Sequence, residues 1–316
     1  MINLSANKLQ TKAKGSLKLP LALFILLLTA TLLFLSACNH TKEITQQNAG
    51  KNNQIANNII VNTDSFLSQD QFTKSIYNVK INDQTTNYLG IVVPHHNVAS
   101  NLIAEAVEIL SRQQPKIVFI VGPNHKNVGS PITTNFIQWQ TTSGTSYPAT
   151  QTITELINSK IAVKDENNIF ATEHSIGTIM PFVNYYIPKA EIIPIVLQYQ
   201  ISLEQIKELA EFLKPHLEEG AVLIASIDFS HGLDMAKAVE RDAITQKLME
   251  KYAIKELMQL DNTYLDAPGV LALILTLSQE VGDANFTILA NTNAGKILNI
   301  TNQEVTSYFT LLFTNK

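Results

Sequence analysis

The chain of 316 residues is 45% hydrophobic and carries 27 acidic against 23 basic side chains, a formal net charge of −4. This length and composition allow one substantial hydrophobic core, and the acidic balance argues against a surface that binds nucleic acid. The only cysteine is Cys38. We therefore expect no internal disulfide in the folded part, and any metal site there must use nitrogen and oxygen donors.

Residues 1–37 are predicted to be a bacterial lipoprotein signal peptide. Four lysines precede an apolar run from Leu19 to Leu35 that contains no acidic residue, the layout of a targeting segment. The run ends in Leu35-Ser36-Ala37-Cys38, which has the form of a lipoprotein cleavage box. We expect a lipidated Cys38 that anchors the protein to the bacterial membrane, outside the cytoplasm. The alternative is an uncleaved anchor helix, although the run is shorter than the roughly 20 residues of a comfortable span.

Residues 38–75 are predicted to be a flexible polar tether, followed by a folded domain over residues 76–316. The tether is rich in Asn, Gln, Thr and Lys and lacks a sustained apolar periodicity, as flexible linkers do. Only Ile55 to Phe66 indicates ordered structure within it.

Short β-prone runs alternate with helical periodicity through the domain. The pattern predicts strands at 89–93, 117–121, 192–197, 221–227, 286–290 and 307–313, and helices at 100–112, 203–217, 235–259 and 268–281. We expect a break near Tyr252 in the third helix. Such alternation predicts an α/β fold with a central, mostly parallel sheet flanked by helices, in which ligands bind at the carboxyl ends of the strands.

Imidazoles follow three of the predicted strands. His95 and His96 come after the first strand, His125 after the second, and His231 after the strand at 221–227. Imidazole is a common metal ligand and titrates near neutral pH, so convergence of these strand ends would build a metal or acid–base site. The alternative is that each histidine caps a helix or bonds a backbone carbonyl.

A further polar element, Glu173-His174-Ser175, precedes an apolar run. Glu173 can pair with a cationic imidazole, or it can fix the tautomer of a metal-binding histidine without touching the metal itself. The alternative is that the tripeptide is only the start of a helix.

The chain resembles the Memo family, in which bacterial members include the AmmeMemoRadiSam system protein B. The resemblance covers Tyr88 to Phe313 and implies a fold similar to that of class III extradiol dioxygenases. It rests on five motifs: Pro94-His95-His96, Gly122-Pro123-Asn124-His125, Trp139 with Thr142-Ser143-Gly144, Glu173-His174-Ser175 with Pro181-Phe182, and Ser226-Ile227-Asp228-Phe229-Ser230-His231.

The resemblance implies a metal pocket with His95 and His125 as ligands. In the family a cysteine commonly supplies the third ligand, but the corresponding stretch here reads Asp266-Ala267-Pro268-Gly269. Asp266 in that place would complete two histidines and one carboxylate, a set that suits a divalent metal and iron(II) in particular. The alternative for Asp266 is an ordinary helix N-cap before Pro268.

Two functions follow from this site. The first is a metal-dependent oxidoreductase of the extradiol type, in which the resemblance makes His231 the acid–base imidazole. Asp228 would orient His231 or bond the substrate, and His174 and Glu173 complete the predicted catalytic group. The second is a non-catalytic protein that binds a metal, a small molecule or a peptide. The resemblance implies a radical-SAM protein and an AMMECR1-like protein as partners in a modification system.

Overall fold

The computed structural model describes residues 59–63, 66–77 and 87–315, all within one compact unit. The predicted signal peptide, Cys38 and most of the predicted tether lie outside these ranges. None of the helices in the described ranges is both long and apolar enough to cross a membrane.

Eleven strands and ten α-helices make up the described fold. The strands are β1 (Ile60–Asn62), β2 (Tyr88–Val93), β3 (Ile117–Pro123), β4 (Ile132–Thr134), β5 (Ile137–Thr141), β6 (Gly144–Pro148), β7 (Val163–Lys164), β8 (Glu191–Leu197), β9 (Val222–Ser226), β10 (Gly282–Asn293) and β11 (Ser307–Asn315). The helices are α1 (Gln69–Tyr77), α2 (Ser100–Ser111), α3 (Thr150–Asn158), α4 (His174–Gly177), α5 (Met180–Tyr186), α6 (Leu203–Glu218), α7 (Met235–Glu250), α8 (Ile254–Leu257), α9 (Pro268–Val281) and α10 (Ala294–Leu298).

The strands form one sheet in the order β1-β5-β6-β8-β3-β9-β2-β11-β10, with β4 and β7 off this path beside β8. The central run from β6 to β2 is parallel throughout. Antiparallel pairs occur toward the margins, where β11 joins β2 and β10 joins β11. The predicted α/β fold with a central, mostly parallel sheet is therefore confirmed.

Helices cover both faces of the sheet. Val118 and Ile120 of β3 pack in one apolar cluster with Ile103 of α2, whereas Phe119 contacts His216 of α6. Because successive side chains of a strand point to opposite faces, α2 and α6 lie on opposite sides of the sheet. Central strands buried on both sides explain the nearly uninterrupted apolar runs in the sequence.

Most predicted elements are confirmed to within a few residues. The predicted helix at 235–259 is divided into α7 and α8, and Tyr252 between them has a φ of +50°, which no α-helix accommodates. The strands between residues 132 and 164 were not predicted, because they are short and mostly polar. Trp139 of β5 is fully buried with its ring edge-on to Phe170, so it belongs to the core.

The folded unit also includes part of the segment that was predicted as tether. β1 pairs with β5, and α1 buries Phe72 against Phe182 of α5. The segment is mostly polar, so its sequence showed little sign of the few apolar residues that pack it against the domain. Ordered structure therefore begins before the predicted boundary at residue 76.

Gly90 of β2 allows the close approach of β9. A Cβ atom at this position would overlap the main-chain oxygen of Leu223 and lie 3.0 Å from its carbonyl carbon. We expect Gly90→Ala to lower the free energy of unfolding by about 3 kcal/mol or more, since the backbone of a central strand cannot move aside cheaply. Chemical denaturation of the variant and the parent measures the difference.

The control is Gly220→Ala. A Cβ atom at Gly220 meets nothing within 4 Å, and the only cost is its φ of +95°, about 1–2 kcal/mol for an L-residue. If both variants lost the same free energy of unfolding, the close approach of β9 to Gly90 would not explain the loss in Gly90→Ala.

Candidate metal centre

Three adjacent parallel strands end at the same edge of the sheet. β2 pairs with β9, and β9 pairs with β3. His95 follows β2, His125 follows β3 and Asp228 follows β9. Because the carboxyl ends of parallel strands lie side by side, the turns after them bring these side chains together. The structure therefore brings His95 and His125, two of the imidazoles expected to converge, to one edge of the sheet, with Asp228 rather than His231 beside them.

His95 is buried, with 2% of its surface exposed, and is held at three points. Its main-chain N–H donates to Asp228 Oδ1 at 3.0 Å. Its Nδ1 lies 2.9 Å from Ser226 Oγ, and its Nε2 lies 3.0 Å from Asp266 Oδ2. These contacts direct Nε2 toward the carboxylate.

His125 is held by Glu173. Glu173 Oε1 lies 2.7 Å from His125 Nδ1, and Glu173 Oε2 accepts the main-chain N–H of His125 at 2.9 Å. A carboxylate in this position keeps the proton on Nδ1 and leaves Nε2 free to bind a metal. That Nε2 lies 3.6 Å from Asp266 Oδ2, so both imidazoles point to the same oxygen.

The turn that follows β9 holds Asp266 in place. Its Oδ1 accepts the main-chain N–H of Asp228 at 3.2 Å, and its own N–H donates to Asp228 O at 3.1 Å. Its Oδ2 is buried and has no aligned hydrogen bond among the described residues. Asp266 therefore faces His95 and His125, and its carboxylate does not cap the helix that begins at Pro268.

His174 adds a third imidazole. Its ring stacks on His125 with 4.3 Å between centroids and lies edge-on to His95 at 5.1 Å. One ring nitrogen from each of the three histidines lies within 4.8 Å of the other two, and the same holds for one ligand atom each from His95, Asp228 and Asp266. This cluster of imidazoles and carboxylates can hold a metal ion.

Glu173 both pairs with an imidazole and caps a helix, the two roles that the sequence left open. It pairs with His125, and its side chain also caps α4 by accepting the N–H of Ser175 at 2.9 Å. Burial opposes its ionisation, but the hydrogen bond and charge of His125 lower the pKa of Glu173 to about 2. Glu173 is therefore an anion at neutral pH.

His95, His125 and Asp266 form a triad, and both of its histidines attract protons. Burial opposes their charged forms, but Asp228 and Asp266 raise the pKa of His95, and Asp266 and Glu173 raise the pKa of His125 to about 10. His174 behaves differently, since burial and then the charges of His95 and His125 lower its pKa to about 4. His174 thus remains neutral at pH 7 beside His125, which is cationic in the metal-free protein.

The predicted acid–base pair is not joined by a hydrogen bond in the described structure. Asp228 is buried, and its Oδ1 accepts the N–H of His95. His231 is half-buried, and its Nδ1 has no partner among the described residues. Asp228 therefore supports the turn that carries His95 and does not orient His231 through a hydrogen bond in the described structure.

His96 takes a different direction from His95. Its Nδ1 lies 2.6 Å from the hydroxyl of Tyr308, and burial lowers its pKa. Because adjacent side chains of an extended segment diverge, only one of the two histidines can face His125 and Asp266. The structure gives that position to His95.

A small cavity of about 240 Å³ opens beside the triad. The sequence did not indicate Phe66, Asn97 or Thr178 as site residues, because they lie outside the histidine motifs. Phe66 has a φ of +54°, and its carbonyl accepts from Asn97 Nδ2 at 2.6 Å. The lining residues are Phe66, His95, His96, Asn97, His174, Thr178 and Asp228.

The fold and the site together define an α/β protein with a candidate metal centre of imidazoles and carboxylates at the edge of a parallel sheet. The Memo-like protein family matches residues 62–312, and the chain belongs to this family. The resemblance inferred from the five motifs is confirmed.

Several relatives carry the same family name. A MEMO1 family protein of Pyrobaculum arsenaticum is 27% identical over 236 residues, 71% of this chain and 83% of the relative. One from Thermotoga maritima is 28% identical over 238 residues, 72% of this chain and 83% of the relative. Among solved structures, the uncharacterized protein JW3007 of Escherichia coli K12 is similar, with 14% identity, a TM-score of 0.49 and coverage of 71% of this chain and 98% of that chain.

Proposed function

We propose that this protein binds iron(II) through His95, His125 and Asp266 and uses it to oxidise a small molecule. One observation carries the proposal. Asp266 Oδ2 is buried without an aligned hydrogen bond among the described residues, yet it lies 3.0 Å and 3.6 Å from two imidazole Nε2 atoms. A buried carboxylate oxygen in that setting needs a cation, which protonated imidazoles supply in the metal-free protein and a metal ion would supply in their place.

The donor set fits iron(II). Two histidines and one carboxylate leave coordination positions open for substrate and oxygen, which is the chemistry that the metal would supply. No cysteine occurs beyond Cys38, so the thiolate that is common in the family is absent from the folded domain. This argues against a copper site of the thiolate type.

The surrounding side chains would handle substrate and protons. The cavity of about 240 Å³ is smaller than the roughly 300–1,000 Å³ of pockets for drug-sized ligands, which favours a small molecule over a peptide. His231 has a free Nδ1 and would exchange protons with the substrate. His174, neutral at pH 7, would accept a hydrogen bond from the substrate within the cavity.

A second function, metal binding without turnover, is favoured by the position of His174. One of its ring nitrogens lies close enough to one nitrogen each of His95 and His125 for the three residues to share one ion. A further imidazole would close positions that an oxygenase needs open. The two functions differ in what His174→Ala does: a closed site would lose metal affinity, whereas an open site would keep it and lose turnover.

Metal content tests the proposal. We expect near-stoichiometric iron in protein purified without oxygen and loss of the iron in His125→Ala. The control His216→Ala should retain the iron, because His216 lies on α6 and its ring packs against Phe119. Oxygen consumption in the presence of a panel of small molecules then distinguishes an enzyme that oxidises its substrate from a protein that binds metal without turnover. Absence of metal in the parent after reconstitution with Fe(II) would contradict the proposal.

We also propose that the protein is a lipoprotein outside the cytoplasm, anchored through Cys38. The cleavage box Leu35-Ser36-Ala37-Cys38 supports this. Labelled palmitate should enter the parent and not Cys38→Ser. Partnership with radical-SAM and AMMECR1-like proteins is a further proposal that rests on the family, and co-purification from the native host would test it.

A further inference from the structure

We infer that Ser226 is a positioning residue, which holds the proton of His95 on Nδ1 so that Nε2 presents a lone pair to the metal centre. Ser226 is fully buried in the last position of β9. The inference rests on the proposed metal site, because it names what orients one of its two imidazoles.

The direction of the hydrogen bonds follows from proton counting. A serine hydroxyl has one proton to donate, and Ser226 Oγ donates it to the main-chain oxygen of Ser175 at 2.7 Å. His95 Nδ1 lies 2.9 Å from the same Oγ. Since the hydroxyl proton is already used, Ser226 can only accept from His95, and Nδ1 must carry the hydrogen.

The opposite tautomer is disfavoured by the same geometry. A proton on Nε2 would leave His95 Nδ1 and Ser226 Oγ facing each other with lone pairs alone, 2.9 Å apart, unless Ser226 gave up its bond to Ser175. In return the Nε2 proton would face Asp266 Oδ2 at 3.0 Å, but the two groups are not aligned for a hydrogen bond. An unsatisfied buried polar group costs about 1–3 kcal/mol, so the Nδ1–H form is preferred.

The same short segment orients both imidazoles. Glu173 bonds His125 directly, and the carbonyl of Ser175 holds Ser226, which holds His95. Ser175 Oγ donates to Pro123 O at 3.0 Å, so the segment is tied to the end of β3. The tripeptide Glu173–Ser175 is therefore a common support for the two ligands.

Gly122 makes room for this support. A Cβ atom on Gly122 would lie 2.7 Å from Ser175 Oγ and 2.9 Å from Ser175 Cβ, closer than real Cβ contacts occur. A side chain there would push the segment away from β3. We therefore expect Gly122→Ala to disturb His95 and His125 together, although it alters neither ligand.

Nitrogen NMR of the metal-free protein tests the assignment without any metal. With ¹⁵N-labelled histidine, at a pH where the ring is neutral, His95 should show a protonated Nδ1 in the parent. In Ser226→Ala, which cannot clash, the Nε2–H form should increase. In Ser278→Ala, another buried serine, which contacts Tyr252, the spectrum of His95 should not change. A parent in which the neutral ring carries its proton on Nε2 would overturn the inference, whether or not the variants fold.

Metal affinity gives the second readout. Loss of a group that orients a ligand costs about 10- to 100-fold in affinity, so Ser226→Ala should bind Zn²⁺, a redox-inert probe, about 10- to 100-fold more weakly. A loss of affinity with an unchanged His95 tautomer would overturn the positioning role. If the parent binds no metal, the proposed function fails, but the tautomer of His95 still tests the role of Ser226.

Discussion

Replacement of Asp266 by asparagine should lower the affinity for Fe(II) by more than about 100-fold, because the loss of a mere supporting group already costs about 10- to 100-fold. Asparagine keeps the shape of the side chain and removes its charge. It also leaves the buried His95 and the more exposed His125 without the anion that faces both of them. Anaerobic equilibrium titration of the parent and the variant with Fe(II) measures the change.

Asp242→Asn is the matched control for this variant. Asp242 is buried to a similar degree, 4% exposed against 8% for Asp266, but it bonds Ser230 and Ser307 outside the triad. Its replacement should leave Fe(II) affinity unchanged. If Asp266→Asn kept full affinity while His125→Ala lost it, the third ligand would be Asp228 or His174.

Asp266→Cys would return the thiolate that is common in the family. Soft thiolate ligands favour Cu(I) and Zn²⁺ over iron(II). We therefore expect the ratio of Zn²⁺ affinity to Fe(II) affinity to rise in this variant, as measured by competition between the two ions. An unchanged ratio would mean that the side chain at position 266 does not reach the metal.

Metal affinity should rise with pH by about tenfold per unit for each proton displaced, since ligand histidines must be deprotonated to bind. In the metal-free protein the pKa of His125 is raised to about 10 from 6.5, and that of His95 is also raised. The metal must therefore displace at least one proton between pH 6.5 and pH 10. Calorimetry in two buffers of different ionisation enthalpy measures the protons released.

The same pKa shift predicts the opposite trend for the metal-free fold. A folded-state pKa above the unfolded value means that the ion pairs of His125 stabilise the fold fully below about pH 6.5 and lose their effect as the pH rises through about 10. Metal-loaded protein should not show this loss. Identical alkaline stability in both forms, together with a flat affinity profile, would contradict a protonated His125.

The sequence determined the central architecture because local patterns carry it. Apolar runs such as the one from Ile117 to Val121 are long enough to identify strands buried on both faces, and the helices between them have clear periodicity. The histidines after β2 and β3 were recognised as site residues for the same reason, since a strand end places whatever follows it at the edge of the sheet.

Only the tertiary structure decided what depends on contacts between distant residues. Asp266 and His95 are separated by more than half of the chain, and neither position reveals that Asp266 turns away from its helix to face two imidazoles. The role of Ser226 depends on the carbonyl of Ser175, a main-chain atom with no sequence signature. Phe66 reaches the cavity through a positive φ, which its residue type does not favour. Local propensity thus identifies strands and their ends, whereas the orientation of each ligand depends on hydrogen bonds that form only after the chain has folded.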